Sequence, residues 1–405
     1  APQVTRVLDN DIPLSSHGLI SVRGVVNATG GASLAASDVS VTGAVDTGQA
    51  AVVAIQNLVN MNEGGLGGGL VDLSNIEAGI SIIADDDVEI TGRVLADGST
   101  GIDAGTIDVR AGDDITLGNG ADLSAVGQGL NSDGGTVITF ADDAALLGRG
   151  ARLSADGGIS GDGGFVEFSA IRLVELAGGQ LSAAAQDGTD GAVLIDPDDI
   201  IISADLLRDG TANGGTGDAD NNTSWNAGAL TLQASNSIVI SDNITISSRR
   251  VSAAGDASAH RTANSIADSG NIILQSDNIT IGAGALVTGR STGTYNAGDI
   301  TLDGRIVIAN DGAEINVGAG GSGEAGNILI DVDDRDNASI TLTGTSLAGG
   351  NVTLDAYARF DPDGAYDNPT AEANAEISLL SSSAITASDN ITLSAIAEQK
   401  APGYS

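Results

Sequence analysis

The chain has 405 residues, and its 54 acidic against 16 basic side chains give a formal net charge of −38. A charge of that sign repels nucleic acid and anionic membrane surfaces and favours cations as ligands. There is no cysteine, which excludes disulfides and thiolate metal sites, and the 41% apolar share comes mostly from Ala, Ile, Leu and Val, with one Trp, four Tyr and four Phe beside 58 Gly. Small aliphatics with so few rings predict a folded chain with many thin core layers, not one thick globular core.

The opening APQVTRVLDN has no basic region followed by an apolar one, so it does not read as a signal peptide. The chain is expected to be a mature form or a piece of something longer. No stretch is long and apolar enough to span a bilayer, so no membrane insertion is expected. GLISVRGVV, from Gly18, already alternates apolar and polar residues, and residues 1–60 are read as N-terminal coils or a divergent cap.

From there the chain repeats. A glycine followed by an alternating strand recurs at Gly105, Gly135, Gly164, Gly191, Gly228, Gly270, Gly298, Gly326 and Gly350, at spacings of 30, 29, 27, 37, 42, 28, 28 and 24. Within the units a second strand follows Asp-Asp or Asp-Asn, as in DDVEI at Asp86 and DNITI at Asp277. A third, small-residue strand follows another glycine, as in GADLSA at Gly120 and GARLSA at Gly150. Alternation sends Ile, Val and Leu to one face of each strand and Thr, Ser, Asp and Glu to the other. Gly and Asn supply the positive φ values that tight corners need. One unit cannot bury its apolar face alone, but stacked units can, by pairing each strand with its equivalents above and below. The expectation is an all-β, single-stranded parallel β-helix of about 24–30 residues per coil, with loop insertions. Roughly 14 coils at about 4.8 Å each would extend about 65 Å.

Residues 61–203 are read as regular shaft, 204–270 as β-helix with two long insertions, and 271–405 as shaft with an aromatic-bearing excursion near 355–376. The first insertion, 204–227, is polar and contains Trp225. The second, 247–269, carries Arg249, Arg250, His260 and Arg261, a basic patch on an acidic chain. The excursion holds Tyr357, Phe360 and Tyr366. Insertions on solenoids map to loops on one face, often a binding face, so these rings and arginines are candidate binding residues, against the alternative that the rings cover the core locally.

Three chemistries compete for the acids. Asp196, Asp198 and Asp199 of DPDD, and the run Asp85 to Asp87, have the clustered carboxylates of a β-helix polysaccharide lyase or hydrolase. Against that, Asp recurs at the same place in many units, which fits solvated corners better than catalysis. Asp331, Asp333, Asp334 and Asp336 in DVDDRDN offer hard oxygen ligands suited to Ca²⁺, so a calcium-dependent carbohydrate-binding module is a further alternative. No catalytic residue is assigned and no other cofactor is expected.

One block carries a family resemblance. GGFVEFSAIRLVELAGGQLSAAAQDGTDGAVLIDPDDIIIS, residues 163–203, resembles the filamentous haemagglutinin-type exoproteins of two-partner secretion. The matching positions are Gly163-Gly164, Val166-Glu167, Ser169 and Leu194-Ile195-Asp196-Pro197, and the GNIxL and DNITI units downstream are similar to that family's repeat shaft. The family's N-terminal secretion domain is not recognisable at 1–60. The resemblance implies a right-handed β-helix outside the cell or on a bacterial surface. It implies an adhesive or biofilm-scaffolding role, with partners among copies of itself, other surface proteins or glycans. The absence of cysteine suits a chain secreted unfolded through a pore.

Overall fold

The computed structural model describes strands between Gln3 and Gln56, then residues 79–208, 223–251, 264–335, 337–360 and 373–399. Among these the chain is all-β: there is no helix, so none long and apolar enough to cross a membrane. Almost every strand pairs in parallel with a strand about one repeat further along, as a β-helix requires.

The chain divides into two compact units. The first comprises Ala1–Pro197 with Asn221–Gly228, and the second Asp198–Asp220 with Ala229–Ser405. The boundary falls inside DPDD, and the first unit takes in Thr223–Asn226, which pairs with Gly179–Ser182.

Between Gly79 and Asn226 the described residues of the first unit form three ladders. The first runs through Gly79–Ala84, Thr106–Ala111, Thr136–Ala141, Phe165–Ala170 and Ala192–Ile195. The second runs through Val88–Ile90, Ile115–Leu117, Ala144–Leu147 and Leu173–Leu176. The third runs through Arg93–Leu95, Asp122–Ser124, Ala151–Ser154, Gly179–Ser182 and Thr223–Asn226. Residues 1–60 supply parallel strands of the same kind: Leu19–Asn27 pairs with both Asp38–Val41 and Ala44–Asp46.

The second unit repeats the scheme with longer strands. In Asn271–Ile281 and Ile300–Ala309 the two strands expected on either side of the corner run as one. Ile272, Ile300, Ile328 and Val352 stand in register, as do Leu274, Leu302, Ile330 and Leu354, all at most 1% exposed. Each such side chain contributes on the order of 1.5–3 kcal/mol. In the last described rung their partners Ile391 and Leu393 are each 50% exposed.

The marker glycines have a cause other than φ. None of those at 135, 164, 191, 298 or 326 adopts a positive φ. Instead a Cβ on Gly135 would lie 1.9 Å from the carbonyl oxygen of Gly105, one on Gly164 1.9 Å from that of Gly135, and one on Gly191 1.9 Å from that of Gly164. Each repeat rests on the bare backbone of the one before it. The left-handed conformation expected at corners is found at Gly120, Gly150 and Gly178, which open the small-residue strands.

The corner acids are structural acceptors. Asp133 donates its N–H to Asp103 Oδ1 at 2.9 Å, Asp162 donates to Asp133 Oδ1 at 2.8 Å, and Thr189 to Asp162 Oδ1 at 2.7 Å. At another corner Asp114 donates to Asp87 Oδ1 at 3.2 Å and Ala144 to Asp114 Oδ1 at 3.0 Å. In the second unit the residue after the marker glycine does the same: Asn327 N–H reaches Asp299 Oδ1 at 2.7 Å, and Asn351 N–H reaches Asn327 Oδ1 at 3.2 Å. Backbone donors at a corner have no strand partner, and a carboxylate or amide one coil away satisfies them.

Candidate binding surface

A cluster of polar groups lies on the outward face of the first ladder of the first unit. Alternation in Phe165–Ala170 buries Val166 and Phe168 completely and turns Phe165, Glu167 and Ser169 the other way. Parallel register places Glu167 beside Ile138 on one side, with Asp108 one rung further, and beside Leu194 on the other. It places Ser169 beside Phe140, with Arg110 one rung further.

Glu167, Ser169 and Asp196 carry the sequence resemblance, and the fold brings them together. The Ser169 hydroxyl hydrogen-bonds the Glu167 carboxylate, and Ser169 Oγ accepts the backbone N–H of Asp196 at 3.2 Å. Half-burial pushes the Glu167 carboxyl above the ordinary glutamate range. The Ser169 bond opposes this, nearby Asp196 adds to it, Arg110 opposes and Asp108 adds. Desolvation also raises Asp196. Arg110 is held between two partners: its Nε lies 3.1 Å from Asp108 Oδ1, and its guanidinium stands 6.0 Å from the centre of the Phe140 ring.

The other acids of DPDD do different work. Asp198 and Asp199 belong to the second unit. The Asp198 carboxylate accepts the Ser235 hydroxyl, and Asp199 Oδ1 accepts Asn236 Nδ2 at 2.7 Å and Ser237 Oγ at 2.6 Å. Both are committed to the next coil. Asp86 and Asp87 are exposed at a corner, where Asp87 caps the coil that follows.

Several expected binding residues are corrected. Trp225 is not on an exposed loop: it is fully buried, opposite Leu181 in a ladder strand, continuing the core column of Leu123, Leu153 and Leu181. Arg249 is not on a surface patch. It is 1% exposed, because the buried strand Thr245–Ser247 carries the chain inward, and its N–H bonds Ser247 Oγ at 3.2 Å. Burial first, and then the charge of Arg290, lower its pKa to about 10, so it stays charged at neutral pH. Arg250 is half-buried, and its carbonyl accepts the N–H of Ile266 at 3.0 Å.

Tyr357 and Phe360 belong to a rung, Val352–Phe360, rather than to a loop. Tyr357 donates its hydroxyl to Glu398 Oε2 at 2.9 Å, which raises the phenol pKa. Phe360 pairs with Gln399, its side chain lying outside the described residues. Tyr366, His260 and Arg261 also lie outside them.

In the calcium candidate, Asp331 and Asp333 share strand Ile328–Asp334. Asp331 stands in register between Asp303 and Asp355, and desolvation followed by those two charges and Asp333 raises its pKa. Asp334 is engaged elsewhere, with Oδ1 3.1 Å from Arg305 Nε and Oδ2 accepting the Asn337 N–H at 2.9 Å. Asp336 lies outside the described residues. Among the described residues no three His, Asp or Glu side chains are arranged to hold a metal ion.

Comparison with protein-family models, with curated proteins and with solved structures returns no match to this chain.

Proposed function

We propose that this chain is an extracellular structural or adhesive protein of bacterial-surface type, built as a single-stranded right-handed parallel β-helix. The observation that carries the reading is the register. Each strand is paired in parallel with its equivalent one coil away, over a core of aligned small aliphatics, with corner acids used up as acceptors. Such a construction spends its polar residues on stacking coils and leaves long strand faces for contact with partners. The acidic surface fits solubility outside the cell and argues against nucleic acid. The family resemblance of residues 163–203 points the same way, and self-association into filaments is the partner reading it favours.

Electron microscopy of the natively secreted material tests this. Slender rods or fibres whose subunit repeat corresponds to this chain are the expected result. Compact isolated particles would remove the scaffold reading.

A glycan-cleaving β-helix enzyme is the second reading, supported by Glu167 and Asp196 on neighbouring rungs, offset by two residues, each with its carboxyl pKa raised. Turnover of a polysaccharide that disappears in Glu167→Gln would favour it.

A further inference from the structure

The chain has four phenylalanines, and three of them fall on two adjacent rungs, Thr136–Ala141 and Phe165–Ala170. Phe168 points inward and is fully buried. Phe140 and Phe165 point outward and are only half-buried. Outward rings need a reason in a chain this poor in aromatics, because the core does not use them. Register sets Phe165 opposite Thr136, while Phe140 lies four residues further along the neighbouring strand. The two rings are therefore separated by about 13 Å along the strands and about 4.8 Å across them.

Polar groups fill the space between and beside the rings. Glu167 lies between them on the same face, with Asp196 at its edge. Arg110, its side chain 50% exposed, is fixed by Asp108 and the Phe140 ring with donors left facing solvent. Two half-buried outward rings, with the Glu167 carboxylate between them and the Arg110 guanidinium on the far side of Phe140, match the two surfaces of a sugar ring. Its C–H face packs on an aromatic ring, and its hydroxyls at the rim take and give hydrogen bonds. Three carboxylates against one guanidinium disfavour a ligand that is itself anionic.

We propose that Phe140, Phe165, Arg110, Asp108, Glu167 and Asp196 form a binding strip for a neutral glycan chain lying along the strands. Phe140 and Phe165 are the platforms, and Arg110 and Glu167 the orienting hydrogen-bond partners. The proposal gives the adhesive reading above a ligand class and rests on it only for the biological setting. Binding itself is a property of the first unit.

The test is calorimetric titration of the full chain with neutral β-1,4-linked tetrasaccharides of glucose and of N-acetylglucosamine, and with tetragalacturonate. At least one neutral probe should bind saturably and tetragalacturonate should not. Phe140→Ala and Phe165→Ala should each weaken binding by about tenfold. Phe140→Tyr and Phe165→Tyr should restore it, with circular dichroism unchanged throughout. No saturable binding of either neutral probe, unaltered binding in both alanine variants, or preference for tetragalacturonate would each overturn the proposal. Microscopy separates the two readings: rods without glycan binding sink the strip alone, and glycan binding by compact particles sinks the scaffold alone.

Discussion

Asp133 accepts the backbone N–H of Asp162 through Oδ1 at 2.8 Å, while its own N–H is given to Asp103 at 2.9 Å. One residue type at one corner thus serves both as the cap of the coil after it and as the group capped by the coil before it. This makes corner acids in this chain parts of a ladder. Asp133→Ala should destabilise the first unit by about 1 kcal/mol, the worth of one such hydrogen bond, whereas Asp133→Asn keeps a carbonyl acceptor and should be nearly neutral. Denaturant midpoints of the two variants check this. Equal losses would mean that the charge, not the acceptor, matters.

Gly164 has no room for a Cβ, which would lie 1.9 Å from the carbonyl oxygen of Gly135, a backbone atom that cannot step aside. Gly164→Ala should therefore cost about 3 kcal/mol, the upper end for overpacking. Gly101 has φ +73° with nothing within 4 Å, so Gly101→Asn, which tolerates that conformation, should cost under about 1 kcal/mol. Urea unfolding of the pair would separate close approach from φ as the reason for glycine.

Trp225 is the chain's single tryptophan and is fully buried. Its emission should be blue-shifted in the native protein and shift red cooperatively on unfolding. Trp225→Ala should destabilise the first unit by about 3–5 kcal/mol. Native emission at the wavelength of free tryptophan, quenched readily by acrylamide, would contradict this placement.

Glu167 has its carboxyl pKa raised by half-burial, so the fold favours its protonated form. Its ionisation penalises the folded state above the folded pKa. The penalty fades as pH falls through that value and is absent below the unfolded value of about 4.5. Glu167→Gln should therefore stabilise the protein at neutral pH, with a gain that vanishes below about pH 4.5. Thermal melts of both proteins between neutral and acidic pH measure this. A variant less stable than the parent at pH 7 would show the carboxylate to be favourably held.

Much of the fold was legible in the sequence because a repeat writes the same local rule many times. The glycine marker, the corner Asp-Asn pair and the alternating strand each recur with spacings in the high twenties, so one error of reading is corrected by the next unit. Trp225 reads as a loop residue in sequence because it stands among Thr, Asn and Gly. The signal was nevertheless there: Ser224-Trp225-Asn226-Ala227 has the layout of Gln180-Leu181-Ser182-Ala183, although it runs straight into GALTL where seven residues separate Ala183 from GAVLI. A core position filled by a different apolar residue was hidden by the polar composition around it. Tyr357 reads as part of an excursion for the converse reason, since the strand that contains it, Val352–Phe360, leads into a polar segment of the sequence.

The candidate surface could not be read in the same way. Sequence alone determined the strand class, the parallel stacking, the period and the recurrent place of Asp at corners, because these follow from alternation and from the positions of Gly, Asp and Asn. Only the tertiary structure decided which outward residues meet. Glu167 and Asp196 are 29 residues apart in sequence, and Arg110 reaches Phe140 across 30. Their proximity depends on the exact length of each coil, because one residue more or fewer in a turn would face a side chain to the opposite side of the sheet. The same geometry separated Asp196 from Asp198 and Asp199, three acids within four residues, into two units with different tasks.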